Sequence, residues 1–360
     1  MPDREILIES ESPVCPIQAL VERTDDTVYF YLFFPRRKGH DAVRSCWICN
    51  RRPAPAEINE HTWNAHTAPM MPQGSFSHPA GGMDIRAEGL EIVWFQAGDS
   101  AALLQNGELL AVIPPWSGIN GFHGYSRYAV GTGLFAWEIT AEGGANLKQR
   151  TAASKLFWAE HFTDEYWNQQ IQDHARIQQD FYGAVTRHAG INGKNYPPRY
   201  LFAGAKNGVS YGITALISAI PQPEIEMQIE DADQFSRIEF GFAAQERFEA
   251  LTTGVYQMFS SLTRYLYGET TFFAHGHTNP YDEIEGFHAL LFLNARLLPQ
   301  IASPDYSTLT GGTTVNLLWA VPITKAEYDF TVANGVDALL RHAKNLTTVH
   351  IFNGHPKFSI

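Results

Sequence analysis

The chain has 360 residues, of which 44% are hydrophobic and 18% charged, a composition that is typical of folded proteins and disfavours disorder over most of the length. Its net charge of -12 disfavours nucleic acid as a ligand, because the phosphate backbone is repelled. The first residues lack the apolar core of a signal peptide, and no run approaches the roughly eighteen apolar residues of a membrane span. We therefore expect a cytoplasmic protein, and the length favours two domains.

The N-terminal part of the chain carries mostly strand signals. Runs such as 27–34, 44–49 and 90–95 are rich in β-branched and aromatic residues, and two further apolar runs are joined through Asn106-Gly107. An Asn-Gly pair between apolar runs predicts a hairpin, because a type I′ turn needs positive φ at both central positions. The sequence therefore predicts a β-rich domain over residues 1–150.

Two long helices are predicted in the second part of the chain. The first covers 163–188, with Thr163 as its N-cap, and is expected to end near Gly190. The second covers 244–267, where apolar residues recur on one helical face. Around these helices the pattern returns to strands, so residues 151–350 are predicted to form a mixed α+β domain.

The strands of this second domain are predicted from apolar runs. They lie at 199–205, 213–220, 238–242, 288–294 and 314–321. The last run is nearly continuous in apolar residues, as expected of a central strand, and it is expected to end at Pro322, which lacks an amide donor. Thr324 and Glu327 then stand three apart and predict a capping box at the start of a helix. That helix is expected to break near Asn334-Gly335.

A G-x-S-x-G string is formed by Gly208, Ser210 and Gly212. In a hydrolase this string is the elbow that presents a nucleophilic serine, and it requires a helix directly after it. The residues after Gly212 are β-branched and alternate, and Pro221 cuts off any helix soon afterwards. The string therefore predicts a tight turn that leads into a strand, with Ser210 as a turn serine.

A second group of polar residues lies in a loop of the C-terminal half. It contains His275, His277, Asp282, Glu283, Glu285 and His288. Imidazole and carboxylate groups bind transition metals, so these residues offer an alternative function as a metal-dependent hydrolase. Glycine and proline make the loop rich in turns, however, and no recognised ligand spacing is completed. The favoured interpretation is a solvated acidic loop without a metal.

The remaining motifs do not complete a site. Cys46 and Cys49 lack the second pair that a structural zinc site needs, and the chain's three cysteines are an odd number that agrees with a reducing compartment. His61 and His66 are expected to be solvated. The string at 131–136, G-x-G-x-x-A, leads into a strand pattern instead of the helix that a dinucleotide site requires. We therefore expect no metal and no cofactor.

Three segments of the second half together resemble the suppressor-of-fused domain family. Residues 208–220 (GVSYGITALISAI) resemble the family's glycine-flanked strand, and 260–280 resemble its helix with Arg-Tyr near the end and the loop that follows. Residues 297–342 resemble its buried strand, helix cap and broken helix. The resemblance extends over about 163–345. The β-rich first part, with its PPWSGINGFHGYSR segment, resembles the companion domain found ahead of this domain in bacterial chains.

What the resemblance implies is a non-catalytic domain that acts by binding. Animal members bind a short peptide of a transcription factor as an added strand between two lobes. Bacterial members similar to this chain are thought to be immunity proteins for secreted polymorphic toxins, and an acidic chain suits a basic toxin. The implied function is an immunity protein that neutralises a toxin by direct binding, without enzymatic activity. A regulatory adaptor without a toxin partner is the other alternative.

The candidate partner-binding residues are Asn207, Ser210 and Tyr211. The strand entered at Ser210-Tyr211 and its neighbour at 199–205 are expected to border a groove where an extended peptide adds by β-augmentation. The expected partner is therefore a protein, either a basic toxin domain or an extended peptide, with no nucleic acid and no membrane involved.

Overall fold

The computed structural model describes residues 4–57, 68–193, 195–309 and 311–360. Contacts divide the chain into two compact units. The first runs to Glu160 and includes Gly268–Thr270, and the second comprises His161–Tyr267 and Thr271–Ile360. His61 and His66, which are predicted to be solvated, lie outside the described residues. Among the residues that are described, no helix is both long enough and apolar enough to cross a bilayer.

The described part of the first unit contains two sheets. In one, the strands β1 to β4 pair in sequence order and antiparallel: β1 (Glu5–Glu11), β2 (Gln18–Arg23), β3 (Thr27–Phe33) and β4 (Val43–Asn50). The other has the order β5-β6-β7-β8-β9: β5 (Leu90–Trp94), β6 (Ala101–Gln105), β7 (Glu108–Ile113), β8 (Tyr125–Ser126) and β9 (Trp137–Glu138). The predicted β-rich N-terminal region is confirmed.

The Asn-Gly hairpin is also confirmed. Asn106 and Gly107 have φ values of 52° and 79°, and they join β6 to β7. Both central residues therefore occupy the left-handed region that a type I′ turn requires.

Helix α1 (Ala141–His161) closes the first unit and is not predicted from the sequence. The hydroxyl of Thr140 accepts a hydrogen bond from the amide of Gly143 (3.1 Å) at its start. Leu147 packs with the β5–β7 core, and the Trp158 indole donates to the carbonyl of Trp94 (2.9 Å). Packing of this kind stabilises a helix whose first turn contains glycines of low helix propensity.

The second unit is built on one mixed sheet. Its strand order is β10-β11-β12-β13-β16-β15-β14, and β17 also pairs with β13. The strands are β10 (Val185–Gly190), β11 (Tyr200–Lys206), β12 (Val209–Ala215), β13 (Ile238–Gln245), β14 (Thr278–Pro280), β15 (Ala289–Asn294), β16 (Asn316–Ile323) and β17 (Ile351–Phe352). β13 runs parallel to β16 and β17, and the other pairs are antiparallel.

Helices accompany this sheet, and the mixture confirms the predicted α+β class. They are α2 (Asp164–Tyr182), α3 (Ile225–Gln228), α4 (Ala232–Phe235), α5 (Glu249–Gly268), α6 (Lys325–Asn334) and α7 (Val336–Leu340). The capping box is present, with Thr324 and Glu327 each accepting from the other's amide, and Gly335 separates α6 from α7 as predicted.

Helices α2 and α5 pack on opposite faces of the sheet. Neighbouring residues of β12 show this, because side chains alternate between the faces of a strand. Tyr211 stacks on Tyr182 of α2, with ring centroids 6.0 Å apart, whereas Gly212 faces Tyr256 of α5.

The close approach of Tyr256 makes Gly212 a sensitive position. A Cβ added to Gly212 would lie 2.1 Å from Cζ of Tyr256, so the ring would have to move. Gly212→Ala is expected to lower the free energy of unfolding by about 1–3 kcal/mol, measured by urea denaturation. Gly190→Ala is the matched control in an open position, where a Cβ meets nothing within 4 Å, and it is expected to change stability by less than about 0.5 kcal/mol. Equal effects of the two substitutions would contradict the packing.

Helix α2 is shorter than the sequence predicts. Its N-cap is correct, since the Thr163 hydroxyl accepts from the amide of Tyr166 (3.3 Å). Its predicted end near Gly190 is wrong. Gly183 has φ 90° and donates to the carbonyl of Gln179, which closes the last turn at Tyr182. The residues that follow form β10 and pair with β11.

Two other boundaries are also corrected. The predicted strand 213–220 ends at Ala215, because Leu216 has φ 73° and turns the chain out of the sheet. The helix predicted over 244–267 begins at Glu249, because the residues up to Gln245 extend β13 beside β12.

Pro322 does not end its strand as predicted. β16 continues to Ile323, and Pro322 lies opposite Leu290 of β15. The pairing of β16 with β13 extends only to Trp319. Pro322 therefore lies where the strand has one hydrogen-bonded neighbour, a position at which a missing amide is tolerated.

Candidate partner-binding site

The hairpin between β11 and β12 contains the three candidate residues. Asn207 and Gly208 form its two-residue turn, with φ values of 55° and 75°, and Lys206 pairs with Val209 across it. Positive φ at both positions again fits a type I′ turn. Asn207 is exposed at the tip, where a partner can contact it.

Ser210 lies within β12 and not at a nucleophile elbow. It pairs with Ala205 on one side and Ala244 on the other, and the strand continues to Ala215. The serine is 7% exposed, and no imidazole of the described residues is hydrogen-bonded to its hydroxyl. Of the two glycines around Ser210, Gly208 forms part of the hairpin turn and Gly212 allows the close approach of α5.

Tyr211 is half-buried in an aromatic cluster. Its ring lies 5.3 Å from that of Phe181, 6.0 Å from Tyr182 and 6.2 Å from Trp319, between centroids. Burial raises the pKa of its hydroxyl. Tyr211 therefore fixes the hairpin on α2, and its contact with a partner stays a prediction.

A peptide strand cannot pair directly with β12 or β11. β12 is hydrogen-bonded to β11 on one edge and to β13 on the other, and β11 lies between β10 and β12. Neither strand has a free edge, so a strand that adds beside this hairpin needs another edge, and the expectation that the two strands border a binding groove stays a prediction.

β10 lies beside the hairpin, next to β11, and has an open outer edge. It pairs with β11 on one side, and no described strand pairs with the other. Residues 186–190 are all exposed. The amide of Ile191 donates to the carbonyl of Arg199 (2.9 Å), so the alternation of an antiparallel ladder directs the amides of His188 and Gly190 to the open edge. We call this row of outward groups the β10 edge.

A second feature adjoins the hairpin turn. A cavity of about 690 Å³ lies among the turn, the end of β13 and the segment around β17. Its lining includes Asn207, Glu246, Arg247, Ile351 and Lys357. We call it the hairpin cavity.

The predicted alternative metal site is not assembled. His275 Nδ1 accepts the amide of Asn294 (3.1 Å), and the ring of His277 lies 5.1 Å from that of Phe272. Burial lowers the pKa of both imidazoles.

The other members of that group are engaged elsewhere. His288 Nδ1 lies 3.1 Å from Asp282 Oδ1, and Glu283 accepts from the hydroxyl of Tyr281 (3.2 Å), while Glu285 is exposed. Within the described residues, no group of three or more His, Cys, Asp and Glu side chains could hold a metal ion.

The cysteines of β4 are buried free thiols. Burial raises the pKa of Cys49 to about 12 and raises that of Cys46 as well. Such thiols remain protonated, and protonated thiols are poor nucleophiles and poor metal ligands.

A buried polar cluster that the sequence analysis missed lies beside β12 and β13. Glu239 accepts from the hydroxyl of Thr214 (2.6 Å) and from the hydroxyl and amide of Ser218 (2.7 and 3.0 Å). His174 Nε2 lies 3.5 Å from Ser218 Oγ and 3.9 Å from Glu239 Oε1. A carboxylate in the otherwise apolar strand 238–245 was the signal that could have revealed it.

This cluster is structural and not catalytic. Glu239 and His174 are 0% exposed, so no substrate reaches them. Burial raises the pKa of Glu239 to about 7, against the opposing hydrogen bonds, and lowers that of His174 to about 4. The arrangement ties the turn after β12 to β13 and α2.

Comparison with known families supports the resemblance seen in the sequence. Residues 199–355 match the family model described as Suppressor of fused protein. This segment includes the hairpin, β13, α5 and β16, so the predicted resemblance is confirmed over it, and it suggests a protein-interaction module. No curated protein and no solved structure matches the chain.

Proposed function

We propose that the chain is a non-catalytic protein-binding module that captures an extended segment of its partner along the β10 edge. The observation that carries this proposal is the six-residue strand β10, whose outer edge has outward amides and no described strand beside it. An added strand gains its affinity from main-chain hydrogen bonds. The match to the suppressor-of-fused family supports a partner that is a protein.

The binding mode is tested with a displayed library of random peptides. The intact protein is expected to enrich extended sequences that contain no proline at alternate positions, because each second amide must donate to β10. Enrichment of helical sequences, or of none, would contradict capture at the edge.

We further propose that the partner is a polymorphic toxin and that the chain is its immunity protein. The net charge of -12 supports a basic toxin, since opposite charges accelerate association. Co-expression of the chain with the toxin encoded by a neighbouring gene is expected to restore bacterial growth. A complex that forms without restoring growth would instead favour a regulatory adaptor.

A further inference from the structure

Lys357 is a buried lysine without an acidic partner. It is 8% exposed and lines the hairpin cavity. Among the described residues, no side chain or carbonyl forms a hydrogen bond or an ion pair with its ammonium group. Lysines that are buried to this extent are normally paired, because an unpaired charge is costly to remove from water.

The charges around Lys357 are mostly positive. Burial and the nearby charge of Lys344 lower the pKa of Lys357 to about 8. Arg247 lines the same cavity and donates to the carbonyl of Asn353 (3.2 Å). Glu246 is the acidic residue of the lining, and no ion pair joins it to Lys357. The wall is therefore cationic in a chain whose net charge is -12.

His350 is a second polar group near Lys357, although it does not line the cavity. It is 1% exposed, and neither ring nitrogen has a partner. Burial and then the charge of Lys357 lower the pKa of this imidazole to about 4. The imidazole is thus buried without the hydrogen-bond partners that would compensate its burial.

The cavity is large enough for a ligand of small-molecule size. Its volume of about 690 Å³ lies within the roughly 300–1,000 Å³ of ligand pockets. Val209 and Ile351 supply apolar lining beside the cations. Lys357 and Arg247 supply two positive charges and Glu246 one negative charge, so the lining suits a monoanion better than a dianion such as phosphate.

We propose that the hairpin cavity binds a carboxylate group, which pairs with the ammonium of Lys357 and is flanked by the guanidinium of Arg247. This site is separate from the β10 edge. The carboxylate belongs either to a small organic acid or to the C-terminus of a peptide, and both offer the same two oxygens to Lys357.

The binding test uses isothermal titration with four probes. They are butyrate, a tripeptide of alanine with a free C-terminus, the same tripeptide amidated, and inorganic phosphate. Binding of butyrate alone assigns a small acid, and binding of the free but not the amidated tripeptide assigns a peptide terminus. Binding of phosphate alone, or of no probe, overturns the proposal.

The role of Lys357 is tested by substitution. Lys357→Met keeps the length of the side chain and is expected to lower the affinity for the carboxylate by about tenfold or more. Lys344→Met, at an exposed lysine, is the matched control, with an expected change below about threefold. Equal affinities of the two variants overturn the assignment.

A measurement on the unaltered protein covers the case in which Lys357→Met fails to fold. Acetylation by a succinimidyl ester, followed by mass spectrometry, is expected to modify Lys357, and saturating carboxylate is expected to slow that modification by about tenfold, because a bound carboxylate raises the pKa of Lys357 and so lowers the fraction of free amine that reacts. Unchanged acetylation of Lys357 at saturation overturns the proposal.

Discussion

Replacement of His188 by proline is expected to weaken capture of an extended peptide by about 10- to 100-fold, because it removes one of the two outward amides of the β10 edge. The amide of Ile191 already donates inward to Arg199, so position 188 donates outward by alternation. Proline at such a position costs the sheet no internal hydrogen bond, which is why edge strands tolerate it.

The matched control is His188→Thr, which removes the imidazole but keeps the amide and favours a strand. Its affinity is expected to remain within about threefold of the original chain. Affinities are measured by fluorescence anisotropy with a peptide selected from the displayed library, after thermal unfolding has shown that both variants are folded. Full binding by His188→Pro, or equal loss in both variants, would contradict main-chain recognition.

Replacement of Glu239 by alanine is expected to destabilise the second unit by about 3 kcal/mol. The change removes the acceptor of the buried hydroxyl and amide of Ser218, and it leaves the hydroxyl of Thr214 with only its longer bond to the carbonyl of Phe240 (3.3 Å). Glu239→Gln keeps an acceptor for Ser218 and is the matched control, with a much smaller expected loss. Urea denaturation at pH 7 measures both, and equal losses would contradict the role of the acceptor.

The unaltered chain and Glu239→Gln together test the pKa of Glu239. Burial raises this pKa from 4.5 to about 7, so between these values the folded chain keeps a proton that the unfolded chain has lost. The free energy of unfolding of the unaltered chain, minus that of Glu239→Gln, is therefore highest below pH 4.5. This difference is expected to fall by up to about 3 kcal/mol as the pH rises to 7, and to stay constant above pH 7.

Other buried groups do not obscure this comparison. The pKa of His174 and of His350 is lowered to about 4, so each imidazole makes stability rise with pH between about 4 and 6.5. Both histidines are present in Glu239→Gln, and their contributions cancel in the difference. A difference that does not change between pH 4.5 and 7 would contradict the raised pKa.

Local signals explain what the sequence predicts correctly. The turn at Asn106-Gly107 and the capping box at Thr324 depend on residues close together in the chain, and both are present. The β-branched residues after Gly212 predict a strand, and β12 confirms it, although Ser210 lies within that strand and not in the predicted turn before it. These features need no knowledge of tertiary contacts.

Elements that depend on distant contacts were missed. β1 has exposed and half-buried residues throughout, so its sequence lacks a continuous apolar run, and β2 provides the pairing that makes it a strand. α1 contains glycines in its first turn and is held by contacts such as that of Trp158 with Trp94. Tertiary contacts stabilise such elements although the local sequence only weakly favours a helix or a strand there.

The sequence predicts only part of the candidate site. The hairpin turn at Asn207 is local and is predicted correctly, but the residues of β10 up to His188 are predicted as helix, because the helical spacing of apolar residues extends to Val185. The sequence does not indicate that Lys357 is buried without an ion-pair partner, because residues distant in the chain, such as Gln245 of β13 and Ile351 of β17, line the cavity with it. A missing partner is a property of the folded chain.

The most direct test of partner capture along the β10 edge is amide hydrogen exchange, read by NMR, with and without the selected peptide. We predict that the amides of His188 and Gly190 exchange at least about tenfold more slowly in the complex, because they donate to the added strand. Unchanged exchange at both amides in a saturated complex would contradict capture at this edge.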